Sequence, residues 1–224
     1  MNEAEVIWLT VKLATVTTLL LLVITTPLAW WLARGSSNFR SSVEAIVALP
    51  LILPPTVLGF YLLIAFAPQS ALGSLWQQIT GERLAFSFNA LVIGSAIYSL
   101  PFVVQPLQAA FRQLPEGLLE AAATLGADKW DRWRSVVFPN CRHSFVSAAS
   151  LGFAHTVGEF GVVLMIGGNI PGETQVLSIA LYDHVESLDY ASAHTLAAGL
   201  MVFSFITLFL LYRRADTRTW GLNR

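Results

Sequence analysis

Long apolar segments alternate with short polar ones along most of the chain. The apolar segments cover about residues 6–33, 43–67, 86–111, 145–167 and 191–212. Each contains at least about 20 residues, the length at which a helix rising 1.5 Å per residue crosses the hydrocarbon core of a bilayer. The short alternating segments of a transmembrane β-barrel do not occur. The pattern predicts an all-α transmembrane protein, a five-helix bundle formed by one domain comprising residues 1–224.

Composition agrees with this pattern. Of the 224 residues, 55% are hydrophobic and 12% are charged, whereas a soluble domain carries about twice that share of charge. The formal net charge of -1 gives no indication of a nucleic-acid partner. The single cysteine, Cys141, cannot form a disulfide within the chain. We expect no metal site and no cofactor.

The basic residues predict the orientation in the membrane. All but Lys12 and Arg83 of the 13 lysines and arginines fall between the first and second segments, between the third and fourth, or after the fifth. They are Arg34, Arg40, Arg112, Lys129, Arg132, Arg134, Arg142, Arg213, Arg214, Arg218 and Arg224. Cytoplasmic loops of membrane proteins are enriched in such residues. We therefore expect a periplasmic N-terminus, a cytoplasmic C-terminus and a cytoplasmic segment at about residues 112–143.

The sequence shows no catalytic motif. A nucleotide-binding P-loop needs a glycine, a lysine and then a serine or threonine, but Lys12 follows Val11 and Lys129 follows Asp128. Neither a nucleophile elbow nor an HExxH metalloprotease motif occurs. His184 and Glu186 have a spacing that suits no standard metal site, and we expect them at the surface. The chain is therefore predicted to have no ATPase or other catalytic site.

Two ionisable residues fall within the fourth apolar segment. Glu159 lies well inside it, where a carboxylate costs roughly 2.5–3.5 kcal/mol on membrane-insertion scales. His155 precedes it by four residues, so both side chains can share one helix face. They are candidates for a proton relay or a hydrated gate, or for a structural pair that holds the bundle together. A carboxylate would repel an anion, so direct contact of Glu159 with an anionic substrate is not expected.

Proline and small residues mark further positions of interest. Pro54 and Pro55, followed by Thr56, should break the second segment, because proline removes a backbone donor and disfavours helix in the preceding residue. Broken helices line the paths of many transporters, although a kink can also serve packing alone. Small residues on the fourth segment allow close helix packing, either within one subunit or between subunits. They are Ala148, Gly152, Thr156, Gly158 and Gly161.

The cytoplasmic segment carries a recognisable motif. Pro115 and Gly126 predict two short helices joined near Gly126. The sequence Glu120-Ala121-Ala122-Ala123-Thr124-Leu125-Gly126, followed by Pro139, resembles the EAA loop of bacterial ABC importer permeases. Val136 and Phe138 replace the isoleucine and leucine of that motif. The resemblance implies that the segment docks on an ATPase subunit through Glu120, Ala121, Ala122, Thr124, Leu125, Gly126 and Pro139.

Two further sequences resemble a narrower group within that family. Gly158-Glu159-Phe160-Gly161 is similar to the GEFG sequence of sulfate and molybdate permeases, and the segment from Asn169 to Gln175 is similar to a loop of molybdate permeases. The resemblance implies an inner-membrane permease that imports molybdate by alternating access. It also implies a homodimer around a central path, two copies of a separate ATPase and a periplasmic oxyanion-binding protein.

The sequence is also compatible with other functions. Sulfate, thiosulfate and tungstate are tetrahedral dianions like molybdate, and the sequence does not identify the anion. A membrane-embedded enzyme using His155 and Glu159 is an alternative from a different class, and a structural membrane scaffold is a third. Pro54, Pro55, Thr56, His155 and Glu159 are the candidates for the path or gate.

Overall fold

The computed structural model describes the backbone of residues 3–216 and the side chains of residues 3–213. These residues form eleven α-helices, and no strand occurs among them. The helices are α1 (Glu3–Ala33), α2 (Asn38–Ile52), α3 (Pro55–Phe66), α4 (Ala71–Thr80), α5 (Phe88–Gln113), α6 (Glu116–Thr124), α7 (Lys129–Arg132), α8 (Phe138–Gly158), α9 (Gly161–Gly167), α10 (Leu177–Glu186) and α11 (Tyr190–Asp216). A π-helical turn, Trp133–Val137, joins α7 to α8. The all-α prediction is confirmed.

Three of the described helices, α1, α5 and α11, are each long and apolar enough to cross a membrane. Two bent combinations reach the same length and composition: α2 with α3, at an angle of 112°, and the helix from Lys129 to Gly158 with α9, at 60°. The described residues therefore contain up to five spans if each bent combination crosses once. This agrees with the five predicted segments, although two of them are broken helices.

Proline causes the break between α2 and α3. Leu53 is the last residue with a helical backbone hydrogen bond to α2, and its extended backbone (ψ 136°) leads into Pro54. Pro55 occupies the first position of α3, where a missing backbone donor is tolerated. The predicted break is present, but the bend is much sharper than a kink within one helix.

The fourth predicted segment, about residues 145–167, differs from the structure in two ways. Its helix starts earlier, because α8 begins at Phe138 and continues from the π-helical turn. It is also interrupted, because Glu159 has an extended backbone (ψ 131°) and ends α8. Glu159 therefore lies at a break between two helices and not in the middle of one.

Helices α1, α5 and α8 form the centre of the bundle, with two apolar clusters stacked along them. One cluster, called the inner cluster because it lies on the side predicted to be cytoplasmic, joins Leu32 of α1, Val47 of α2, Phe111 of α5 and Cys141 of α8. The outer cluster joins Leu13 of α1, Phe66 of α3, Leu91 of α5 and Val162 of α9. Since α2 packs in one cluster and α3 in the other, the bent combination runs from the inner to the outer half of the bundle.

Two helices lie in segments that were predicted as loops. The first, α4, begins with the Ser70 side chain accepting a hydrogen bond from Gly73 N (2.9 Å). The second, α10, follows the segment from Asn169 to Gln175, where Gly172 has a φ of +82°. Both helices have ten residues, too few to stand out as membrane spans from hydropathy alone.

Helix α11 lies at the periphery. It is long and apolar, yet only 6% of its most apolar window is buried within the chain. The predicted cytoplasmic cluster after it includes Arg218 and Arg224, which lie outside the described residues, as does the side chain of Arg214. A large apolar surface of α11 is therefore available to lipid or to another subunit.

Candidate coupling segment and translocation path

The predicted two-helix segment is present and is here called the coupling segment, residues 115–132. Pro115 precedes α6, and Asp128 caps α7 by accepting a hydrogen bond from Asp131 N at 2.8 Å. Gly126, between the two helices, has a φ of +87°. That backbone conformation is readily available to glycine and strained for other residues. The glycine of the EAA-like sequence thus sets the turn between α6 and α7.

The coupling segment exposes apolar side chains. Leu125 is 88% exposed and Trp130 is 73% exposed. No residue of α6 is fully buried, and Glu120 and Ala121 are exposed. Grouped exposed apolar side chains mark surfaces that another molecule covers. The geometry therefore fits a docking surface for a protein partner.

An aromatic cluster lies directly beneath the coupling segment. Trp30 of α1 contacts Phe111 of α5 edge-on, with ring centroids 5.3 Å apart, and Trp133 of the π-helical turn at 5.2 Å. Phe111 and Trp133 also meet, at 5.7 Å. Pro139, the last residue of the motif, is exposed in the first turn of α8. Through these rings the π-helical turn that follows the coupling segment packs onto α1 and α5, two of the three central helices.

Glu159 is buried at the break between α8 and α9, with a relative exposure of 4%. Its Oε1 accepts a hydrogen bond from Val162 N at 2.8 Å, which satisfies a backbone donor in the first turn of α9. Its backbone carbonyl accepts a hydrogen bond from Ser178 Oγ of α10. The carboxylate thus supports the start of α9, and the Glu159 peptide is tied to α10 by a hydrogen bond.

His155 has different partners. Its Nδ1 lies 3.0 Å from Ser99 Oγ of α5, and its ring stacks on Phe102 with centroids 3.9 Å apart. Ser99 Oγ also lies 3.1 Å from Thr156 Oγ1. His155 and Glu159 do not share a helix face as expected, because α8 ends at Gly158, between the two residues. They do not form a hydrogen bond with each other. The structure places these residues in two separate polar contacts.

The two helix breaks meet where α3 packs against α9. A Cβ atom on Gly161 would lie 2.6 Å from Pro55 Cβ, and one on Gly59 would lie 2.7 Å from Met165 Cβ. Similarly, a Cβ on Gly152 of α8 would lie 2.7 Å from Val103 Cγ2 of α5. These glycines permit close helix contact inside one chain, which is the packing interpretation of the small residues.

Other candidate residues for the translocation path lie at the surface. Pro54 and Thr56 are exposed, and so is a row of large apolar side chains on both sides of the break. The row consists of Leu51, Ile52, Val57, Phe60, Tyr61 and Ile64. Sequence patterning could not separate this surface from the buried face, because α3 is apolar all round.

The face that is predicted to be periplasmic carries polar contacts. His184 Nδ1 lies 3.2 Å from Asp189 Oδ2. Hydrogen bonding from Ser192 holds the pKa of the Asp189 carboxyl below its usual value. Within the part of the chain that the structure describes, no group of three His, Cys, Asp or Glu side chains forms a metal site. His184 and Glu186 thus take part in surface contacts, Glu186 by accepting a hydrogen bond from Tyr182.

Known proteins resemble this chain over most of its length. Residues 25–220 match the family described as binding-protein-dependent transport system inner membrane component. The molybdenum transport system permease protein ModB of Azotobacter vinelandii is 55% identical over 94% of this chain and 93% of its own length. A putative molybdenum transport system permease of Bacillus subtilis is 31% identical over 92% of this chain and 91% of its own length.

Solved structures share the fold. The MetNI methionine ABC transporter, in an inward-facing conformation, has a chain with a TM-score of 0.69 and 19% identity, covering 96% of this chain and 94% of that one. A bacterial alginate ABC transporter gives a TM-score of 0.72 at 16% identity, covering 96% of this chain and 79% of that one. With the family match over most of its length, this chain belongs to the inner membrane components of binding-protein-dependent transport systems.

Proposed function

We propose that this chain is the permease subunit of an ATP-driven importer that carries molybdate across the bacterial inner membrane. The observation that carries the proposal is the 55% identity to the molybdenum permease of Azotobacter vinelandii over 94% of the chain. The exposed coupling segment supports a role that depends on a separate ATPase.

The assembly is proposed to contain two copies of this chain, two ATPase subunits and a periplasmic oxyanion-binding protein. The exposed apolar row on α2 and α3 supports contact with a second copy, because Ile52 is 82% exposed and Tyr61 is 64% exposed. Aromatic side chains such as Tyr61 are enriched at interfaces between subunits. The two copies would then enclose a path along their common axis.

Coupling is proposed to act through the surface of α6 and α7. Closure of the ATPase dimer on ATP would displace the two coupling segments, and the aromatic cluster of Trp30, Phe111 and Trp133 would transmit this displacement to α1 and α5. Rigid transmission needs close packing, which these ring contacts provide. The permease would open outward with ATP bound and inward after hydrolysis.

The path is proposed to run beside the paired breaks at Pro54–Pro55 and Glu159. Broken helices can rearrange at their breaks with little loss of helical hydrogen bonding, which suits alternating access. Oε1 of Glu159 accepts a hydrogen bond from Val162 N. We infer that the carboxylate supports the start of α9 and does not contact the anion. High affinity for the anion would reside in the binding protein, because basic residues are scarce in the apolar segments.

A second candidate substrate is sulfate, with thiosulfate and tungstate as related dianions. The sulfate transport system permease CysT of Escherichia coli is 31% identical over 81% of this chain and 65% of its own length. The higher identity and fuller coverage of the molybdenum permease favour molybdate. A membrane-embedded enzyme is less well supported, because His155 and Glu159 have separate partners.

Reconstitution tests this proposal. The chain, its ATPase and its binding protein would be assembled in lipid vesicles, and molybdenum uptake would be measured with and without ATP. We expect ATP-dependent uptake that excess tungstate inhibits and excess sulfate inhibits weakly. Uptake of sulfate in preference to molybdate would favour the second candidate, and substrate turnover by the isolated chain without an ATPase would favour an enzyme.

A further inference from the structure

Arg34 connects the inner end of α1 to the beginning of the coupling segment. Its guanidinium lies over the Trp30 ring, 4.6 Å from the centroid. Nη2 donates a hydrogen bond to the Leu114 carbonyl at 3.4 Å, and Nη1 lies 3.8 Å from Glu116 Oε1. The side chain is 18% exposed. One arginine thus reaches both sides of Pro115, the residue that precedes α6.

The rest of α6 is loosely attached to the bundle. No residue of α6 is fully buried, and the Glu116 side chain is 82% exposed. Leu119 is partly buried against the inner cluster. A helix held in this way can tilt about its connection at Leu114 without displacing the central helices. The contacts of Arg34 oppose such a tilt, since they join Leu114 and Glu116 to the end of α1.

We propose that Arg34 is a positioning residue that fastens the coupling segment to α1, so that displacement of α6 is delivered to the centre of the bundle. This inference rests on the proposed coupling function. Because α1 lies alongside α5 and α8 for much of its length, a displacement that reaches its inner end is shared by all three central helices. Without Arg34 part of the displacement would be lost as local tilting of α6.

The chemistry of arginine suits this position. The planar guanidinium can stack on an aromatic ring and still donate hydrogen bonds from its edge, whereas a lysine ammonium is a compact charge that cannot do both in one plane. Lysine in place of Arg34 would keep the attraction to Glu116 and lose the forked geometry. The R34K variant should therefore keep part of the function.

Arg40 provides a matched control. Its guanidinium also stacks on a tryptophan of α1, Trp31, at 5.0 Å from the ring centroid. It belongs to α2, and the described residues show no hydrogen bond or ion pair from its side chain to the coupling segment. Its replacement removes a similar charge and a similar stacking contact on the same face of the membrane.

The test uses the full reconstituted importer with R34Q, R34K and R40Q, and measures molybdate imported per ATP hydrolysed. We expect R34Q to lower this ratio at least about fivefold, the lower end of typical coupling between sites, while ATP hydrolysis continues. R34K should be intermediate and R40Q should match the wild type. An unchanged ratio in R34Q, or an equal fall in R34Q and R40Q, would overturn the proposal.

A second variant covers a failure of R34Q to assemble. E116Q changes an exposed residue and weakens one contact of Arg34, so its ratio should fall less than that of R34Q. If R34Q does not assemble and E116Q matches the wild type, the proposal is overturned. G126P separates this inference from the proposed function. If G126P uncouples transport and R34Q does not, the proposed coupling function of residues 115–132 is supported and the proposed role of Arg34 is overturned.

Discussion

Glu159 shows how a charged residue can be accommodated in an apolar segment. Its carboxylate accepts Val162 N at the start of α9, and its backbone carbonyl accepts Ser178 Oγ. A break in a helix leaves backbone donors without partners, and in a membrane water does not replace them. The acidic side chain is therefore suited to the break at which it lies.

This arrangement predicts different results for two substitutions of Glu159. E159Q keeps an oxygen acceptor of the same length, so the permease should still assemble with its ATPase. E159L leaves Val162 N without its acceptor, which costs about 1–3 kcal/mol for a buried donor. The check is the yield and melting temperature of the purified complex. If E159Q fails to assemble while E159L succeeds, the carboxylate does not have this structural role.

Gly126 allows a test of the turn in the coupling segment. G126P should uncouple ATP hydrolysis from uptake, because proline cannot adopt the φ of +87° that this position requires. Membrane insertion should be unaffected, since the position is exposed.

Gly117 provides the control for Gly126. It lies within α6, and an added Cβ would meet nothing within 4 Å at either position. G117A should leave coupling intact and favour the helix by about 1 kcal/mol. Uptake and ATPase activity in vesicles measure both variants, and normal uptake by G126P would exclude a coupling role for this turn.

Large apolar side chains are exposed on α6 and α7 and between them, contrary to the usual arrangement of an amphipathic helix. Leu125, the residue that follows α6, is the clearest case, at 88% exposure. We predict that the L125E variant inserts and folds normally but no longer co-purifies with the ATPase, because a charge would have to be buried at the interface. I170E, in the segment from Asn169 to Gln175 on the side predicted to be periplasmic, is the matched control and should retain the ATPase. Equal retention by both variants would argue against docking at this surface.

Capping of α5 permits a smaller prediction. Ser87 Oγ accepts a hydrogen bond from Ala90 N at 3.2 Å and donates to Leu84 O at 2.7 Å. S87A should lower the stability of the permease by about 1 kcal/mol, the usual value of such a cap. A thermal melt of the purified protein would show this, and transport at low temperature should be retained. No change in the melting temperature would mean that the start of α5 is held by its packing alone.

The elements differ in how far the sequence predicted them. The segments at α1, α5 and α11 could be predicted because their apolar runs are long and lack charge. The sharp bend at Pro54 could not, because proline indicates a break but its angle depends on the packing of α3 against α9. Ten-residue helices such as α4 and α10 were missed because hydropathy windows are tuned to membrane-spanning length.

The candidate site was predicted unevenly for a similar reason. The turn at Gly126 follows from a local sequence and is present as expected. The separate partners of His155 and Glu159 depend on Ser99 and Ser178, which come from other helices. From the sequence, only the charge of Arg34 could be interpreted, because its contacts with Leu114 and Glu116 join residues about 80 positions apart.

Coupling in the whole molecule requires that the coupling segment lie in the cytoplasm, where an ATPase can displace it. The distribution of basic residues predicts this orientation. The structure permits a direct test, because Leu125 is exposed in the coupling segment and Ile170 is exposed in the segment before α10. The single cysteine, Cys141, is buried and can be replaced to give a background free of cysteine.

The deciding measurement is therefore labelling of L125C and I170C with a membrane-impermeant maleimide, in intact spheroplasts and in inverted vesicles. If the coupling segment is cytoplasmic, L125C should react in inverted vesicles and be protected in spheroplasts, with the reverse result for I170C. Labelling of L125C in intact spheroplasts would place the coupling segment outside the cell, where no cytoplasmic ATPase could bind it.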